Sequence, residues 1–141
     1  MKSSLLLLAF SVASVFANAQ RDSIKLNTES TVQIEAKFPG GVVAWGRYLS
    51  ANLNNELADS CLTIPKGKKM VKQTVIVSFI VDKEGRISDA KAENAGEVHP
   101  RLAAEAVRVV LQGPNWVPAT QNGRNVNYRQ KQSITWVLSE D

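Results

Sequence analysis

The chain has 141 residues, of which 44% are hydrophobic and 21% charged, and this is enough for one hydrophobic core but not for two. Its formal net charge of +4 is a mild basic excess, typical of a solvated surface or of a weak preference for anionic partners. The single cysteine, Cys61, excludes an intramolecular disulfide and a cysteine-based zinc site, and we expect its thiol to be buried.

Residues 1–19 have the pattern of a secretory signal peptide. Lys2 supplies a positive charge, an apolar run extends from Leu5 to Phe16, and small residues at Ala17 and Ala19 form a cleavage site. The apolar run is shorter than the roughly 20 residues that span a bilayer, so we expect cleavage and no membrane insertion afterwards. Export removes nucleic acid as a partner and leaves an acidic peptide or an anionic cell-surface polymer.

Residues 20–35 are predicted to form a flexible leader that includes a short strand, and residues 36–141 a single domain. Gln20–Ser30 is polar and has no period, whereas Thr31–Ala36 alternates apolar and polar residues as a strand does. The alternation is compatible with an edge strand or with a sticky arm.

Two helices are predicted on either side of a central hairpin. Phe38-Pro39-Gly40-Gly41 starts the first, whose apolar face repeats at helical spacing through Val42, Trp45, Leu49 and Leu53. His99-Pro100 starts the second, and Gly113-Pro114 ends it. We interpret Trp45 and Tyr48 as core residues, His99 as a capping residue, and Glu105 and Arg108 as solvent-facing charges.

The segment Val71–Asn94 predicts an antiparallel hairpin. Thr74–Val81 is rich in β-branched and aromatic residues, Asp82–Gly85 has turn chemistry, and the chain returns from Arg86. One face of the first strand is apolar and is expected to meet the helices; it comprises Val75, Val77, Phe79 and Val81. Because the hairpin carries no nucleophile, base or metal cluster, the sequence favours a binding module over an enzyme.

A long final strand is predicted over Val126–Leu138, after a turn at Asn122-Gly123. Trp116 lies in the connector before this turn, and we expect its ring to fill the core. The lysines near the start of the hairpin form a basic patch that is either a solvated face or a polyanion-binding surface: Lys66, Lys68, Lys69 and Lys72.

Several motifs in a fixed order carry a resemblance to a known family. They are Phe38-Pro39-Gly40-Gly41 with Trp45, Tyr48-Leu49 and Asn52-Leu53; then Val77 to Ile87; His99-Pro100; Trp116-Val117-Pro118-Ala119; Asn122-Gly123-Arg124; and Ile134-Thr135-Trp136. Over roughly its last three quarters, the chain resembles the C-terminal domain of TonB-type energy transducers.

The resemblance implies an α+β fold, a three-stranded antiparallel sheet with two helices packed on one face. It also implies a non-catalytic periplasmic module that binds an extended segment of an outer-membrane receptor by β-strand addition and is linked to TonB-dependent transport. The expected docking edge lies at the start of the final strand: Val126, Asn127, Tyr128, Arg129, Gln130, Lys131, Gln132 and Ser133. Arg129 and Lys131 could favour acidic residues in the incoming segment.

Three alternatives remain open at this point. The module could be a homodimer formed through exposed strand edges, or a binder of cell-wall polymer through the lysine patch. An enzyme would need an acid and a base that converge in a cleft, and His99, Asp82 and Asp89 have no evident partners for this. We therefore expect no catalytic residue, no cofactor and no metal.

Overall fold

The computed structural model describes residues 33–141; the predicted signal peptide and residues 20–32 of the predicted leader lie outside this range. The fold is α+β, as predicted. Its helices are α1 (Gly41–Asn52), α2 (Leu57–Cys61) and α3 (Pro100–Leu111), with a 3-10 turn at Ala95–Glu97. Its strands are β1 (Gln33–Ile34), β2 (Met70–Val81), β3 (Ile87–Ala92), β4 (Ala119–Gln121), β5 (Arg124–Val126) and β6 (Tyr128–Ser139).

The main sheet is three-stranded and antiparallel, with the order β3-β2-β6, which confirms the expected sheet. The hairpin β2–β3 forms where the sequence predicts it, and β2 also pairs with β6 along its whole length, from Met70 opposite Ser139 to Val81 opposite Tyr128. The register of β3 shifts between Ser78 and Ile80 of β2, and Asp89 at this bulge has a φ of +51°.

A second, smaller sheet has the order β1-β4-β5. The predicted single strand over Val126–Leu138 is divided in the structure, because Val126 ends β5 opposite Ala119 and β6 begins at Tyr128. Asn127 lies at the corner between them. Its side-chain oxygen accepts a hydrogen bond from the backbone N–H of Lys83 at 3.2 Å, which ties the corner to the β2–β3 turn.

The core lies between the main sheet and the helices. Val75, Val77, Phe79 and Val81 are fully buried, as the alternation in β2 predicts, and β6 adds Ile134 and Trp136. The amphipathic face of α3 covers them with residues that are also buried: Leu102, Ala106, Val109 and Val110. Cys61 is half-buried and packs against this core.

An aromatic cluster joins α1 to the connector before β4. Phe38 lies 5.2 Å from Trp45 and 5.7 Å from Trp116, measured between ring centroids, and Trp116 lies 5.0 Å from Phe79. Trp45 and Trp116 are therefore core residues, as predicted. Gly85 holds Trp116 in place, because its carbonyl accepts a hydrogen bond from the Trp116 N–H at 2.8 Å.

Glu105 does not face solvent as predicted, whereas the side chain of Arg108 is 41% exposed. Glu105 is buried, and its carboxylate accepts hydrogen bonds from Arg108 at 2.5 and 2.7 Å and from the N–H of Asn54 at 2.8 Å. Arg108 also donates to the carbonyl of Asn52 at 3.0 Å. The pair therefore fastens the end of α1 to α3. The prediction for Glu105 was wrong because Asn54, which donates to its carboxylate, lies 51 residues away in the chain.

His99 caps α3, as predicted, since its Nδ1 accepts a hydrogen bond from the N–H of Arg101 at 3.2 Å. Its own N–H donates to the side chain of Gln73 on β2 at 2.8 Å, so the cap also fixes α3 to the sheet. Among residues 33–141, no helix is long and apolar enough to cross a membrane.

Candidate functional site

The main sheet has two edge strands, β3 and β6, and the outer side of the longer one, β6, is a free edge. The even-numbered residues of β6 form backbone hydrogen bonds with β2. The same alternation continues one residue beyond β6, where the Glu140 N–H donates to the Lys69 carbonyl at 2.9 Å. In an antiparallel strand the alternate residues then direct N–H and C=O outward. Ser133, Thr135, Val137 and Ser139 do so, and their backbone groups bond to nothing on that side within the described residues.

Gln130 closes the start of this edge. Its side-chain oxygen accepts a hydrogen bond from the outward N–H of Lys131 at 2.8 Å, and its side-chain nitrogen donates to the carbonyl of Ala36 at 2.6 Å. An added strand that paired with Lys131 would have to displace the amide of Gln130. The edge that is open to pairing therefore begins at Ser133.

Residues 33–38, which we call the strap, lie beside the closed part of β6. Gln33 and Ile34 pair with β4, and Lys37 exchanges two backbone hydrogen bonds with Val117, at 3.1 and 2.8 Å. The pKa of Tyr128 is raised, first by desolvation and then by the neighbouring carboxylate of Glu35. The sequence left the strand in this region open as an edge strand or an arm, and in the structure β1 is an edge strand of the small sheet.

The structure divides the predicted docking residues into three groups. Val126 and Asn127 lie outside β6; Tyr128, Arg129, Gln130 and Lys131 lie in its closed part; and Gln132 and Ser133 lie where the edge opens. The predicted segment thus adjoins the open edge but covers little of it.

Arg129 is occupied by a partner within the domain. Its guanidinium lies 2.5 Å from the carboxylate of Asp89 and 3.4 Å from the hydroxyl of Ser78, on the sheet face opposite the helices. The hydrogen bond from Arg129 holds the pKa of Asp89 below its usual value. The unusual backbone of Asp89 at the β3 bulge therefore places a carboxylate that keeps this arginine on the sheet face.

Two hollows follow the edge on the side of α1. The first, which we call the aromatic hollow, has a volume of about 390 Å³ and lies between the strap, the start of α1 and residues 130–132. The second has a volume of about 350 Å³ and lies between α1 and residues 133–135, where Gly46 and Ser50 leave space next to Leu49 and Leu53. Neither hollow was predicted from the sequence, because the helical spacing in α1 indicates only its apolar face.

The predicted polyanion patch lies at the other end of β6. Lys66, Lys68 and Lys69 are exposed in the loop before β2, and Lys72 is exposed opposite Val137. None of the four takes part in the ion pairs of the described residues. The Glu140 backbone, however, bonds to Lys69, so acidic residues at the chain end lie close to the patch.

The described residues provide no metal centre, since no three His, Cys, Asp or Glu side chains within 33–141 lie together in a way that could hold an ion. Asp82 binds Arg86 and two backbone N–H groups in the β2–β3 turn, and His99 caps α3. The candidate acids and bases named from the sequence therefore have structural partners.

A family model described as the Gram-negative bacterial TonB protein C-terminal matches residues 68–138. The match covers β2 to β6, including the hairpin and the edge strand, and begins after α1. Neither the search of curated proteins nor that of solved structures gave a significant match.

Proposed function

This chain belongs to the family of Gram-negative bacterial TonB C-terminal domains, and we propose that it binds an extended segment of an outer-membrane receptor along the open edge of β6. The family is a non-catalytic, periplasmic part of energy transduction for TonB-dependent transport. The specific proposal for this chain is that the captured segment becomes a fourth strand of the main sheet. It includes the expectation that the protein is exported by its signal peptide.

The observation that carries this proposal is the unprotected character of the open edge. Edge strands that must not pair are usually protected by charged residues, proline or a bulge. Ser133–Ser139 contains no charged residue and no proline, whereas the charged Arg129 and Lys131 lie in the part closed by Gln130. An edge that exposes backbone groups over uncharged residues is suited to strand addition.

The number of outward groups sets the expected affinity. Four residues each offer one donor and one acceptor, and each net hydrogen bond contributes about 0.5–1.5 kcal/mol. Association costs roughly 4–15 kcal/mol, so the backbone bonds alone give weak and reversible capture. Tight or selective binding needs side-chain contacts as well, and the two hollows lie where such contacts would form.

The test is a titration of the protein with peptides from the periplasmic plug segments of the same organism's outer-membrane receptors, followed by backbone amide NMR. We expect shifts along Ser133–Ser139. Ser133→Pro removes an outward N–H without touching the bonds to β2, and it should weaken binding by roughly tenfold. Ser133→Thr keeps the N–H and serves as the matched control, with affinity unchanged.

Other results would lead to the alternatives. Concentration-dependent mass without peptide binding would indicate a homodimer paired through β6. Salt-sensitive sedimentation with cell wall, lost when the lysine patch is neutralised, would indicate a polymer binder. A folded Ser133→Pro variant with full affinity would show that β6 is not the docking edge.

A further inference from the structure

The aromatic hollow has a floor of three rings that are almost completely buried. Phe38, Trp45 and Trp116 are 7%, 8% and 4% exposed, and they contact one another in tilted and edge-to-face arrangements. Its volume of about 390 Å³ is within the range of small-ligand sites. A rigid aromatic floor of this kind favours a flat or bulky apolar group, since such rings accept a further ring edge-to-face.

The charges around the hollow are balanced. Lys37 and the carboxylate of Glu35 both line it, and Gln130 uses both ends of its amide within the protein. The side chain of Lys131 lies with that of Arg129 on the sheet face opposite the helices, where its charge lowers the pKa of Glu93. The lining therefore favours an apolar occupant and gives a carboxylate no special advantage.

The hollow lies where a strand docked on β6 must stop pairing. The Lys131 N–H already donates to Gln130, so backbone pairing with an added strand ends at Ser133. The hollow is lined by residues 130–132. Ser133 therefore lies one to three residues from the hollow, or about 3–10 Å along a strand. The end of a docked segment would therefore leave the sheet edge directly over the hollow.

We propose that the aromatic hollow binds a large apolar side chain, and that its occupant is the end of the segment docked on β6. The hollow would then select which segments bind, while the edge supplies their backbone pairing. The identity of this occupant rests on the proposed function, but the ligand chemistry of the hollow can be tested without a peptide.

The first test uses 3-phenylpropionate, which combines one aromatic ring with one carboxylate. We expect amide shifts at Lys37, Val42, Gln130 and Lys131, and a change in the fluorescence of Trp45 and Trp116, with a dissociation constant of roughly 1–10 mM, as is common for small fragments. Propionate, which lacks the ring, should bind at least roughly fivefold more weakly. Equal binding of the two acids, or no shifts around the hollow, would overturn the proposal.

Two neighbouring valines provide a matched pair of variants. Val42 and Val43 are both exposed in the first turn of α1, at 87% and 67%, but only Val42 lines the hollow. Val42→Trp should fill the hollow and weaken 3-phenylpropionate at least fivefold, whereas Val43→Trp should have no effect. An equal effect of the two variants would contradict a site in the hollow.

The same pair separates this inference from the proposed function. For a plug peptide that shifts the β6 amides, Val42→Trp should weaken binding at least fivefold, and Val43→Trp should not. Unchanged peptide affinity in Val42→Trp would refute the hollow as part of the docking site and would leave strand addition intact. If no peptide shifts β6 while 3-phenylpropionate still binds, the proposed function fails and the ligand chemistry of the hollow is supported.

Discussion

Replacing Gly85 with alanine tests how the β2–β3 turn positions Trp116. Gly85 has a φ of +85°, and a Cβ atom there would lie 2.1 Å from the carbonyl oxygen of Trp116. The left-handed backbone costs an alanine about 1–2 kcal/mol. To relieve the overlap, the turn and the Trp116 backbone must move apart, which costs about 1–3 kcal/mol. This movement also breaks the Trp116–Gly85 hydrogen bond, which contributes about 0.5–1.5 kcal/mol.

The expected loss in the free energy of unfolding is therefore about 3–6 kcal/mol, a large part of the 5–15 kcal/mol that is usual for a domain. Gly67→Ala is the matched control, because Gly67 has a similar φ of +82° and nothing within 4 Å of its added Cβ. It should lose only the backbone contribution of about 1–2 kcal/mol.

Urea unfolding followed by tryptophan fluorescence would measure both variants. With a slope of about 1–3 kcal/mol per M, the midpoint of Gly85→Ala should lie roughly 1–2 M below that of Gly67→Ala. Trp116 also forms part of the floor of the aromatic hollow. Gly85→Ala should therefore lose 3-phenylpropionate binding even under conditions in which the variant is folded. Equal midpoints for the two variants would refute the argument that the turn and Trp116 are locked together.

Two further variants test polar contacts that the fold depends on. The hydrogen bond from Arg108 lowers the pKa of Glu105, so its stabilisation is present above the ordinary carboxyl pKa of about 4.3 and is lost as the pH falls through the lowered pKa. Glu105→Gln should therefore lose about 1–2 kcal/mol at pH 7 in urea unfolding, and its difference from the wild type should shrink as the pH is lowered below the ordinary carboxyl pKa; a difference that stays constant on acidification would contradict this. Asp89→Asn should release Arg129 while keeping a residue that tolerates the left-handed backbone, and should bind acidic plug peptides a few-fold more tightly at low salt in calorimetric titrations. Glu84→Gln removes the same charge away from Arg129, and an equal gain there would show a non-specific charge effect.

Features with a local cause were predictable from the sequence. The β2–β3 hairpin follows from β-branched alternation and a turn that ends in glycine, and the start of α3 follows from His99-Pro100. The buried face of β2 also follows from its period of two. These signals depend on neighbours within a few residues, so tertiary context does not need to be known.

Features that depend on distant partners were not predictable. Glu105 has the sequence environment of an exposed helix residue, and only the fold brings Asn54 to its carboxylate. Gln130 similarly reads as a polar strand residue, although its amide joins Lys131 to the strap and sets where the free edge begins. Most of the docking residues predicted from the sequence therefore precede the open part of the edge, and the two hollows have no sequence signal beyond the small residues Gly46 and Ser50.

The pairing of β2 with β6 has a consequence for the order in which the protein folds. β2 is the central strand of the main sheet, and its longest pairing is with β6, the last strand in the sequence. Every β2–β6 contact therefore joins the two halves of the described residues. Contacts of this range carry a large loop-closure cost and form late. When the chain is synthesised from its N-terminus, the β2–β3 hairpin can form early. The main sheet, its core and its free edge are completed together, once β6 is present. The proposed docking edge is thus absent until the domain itself is complete.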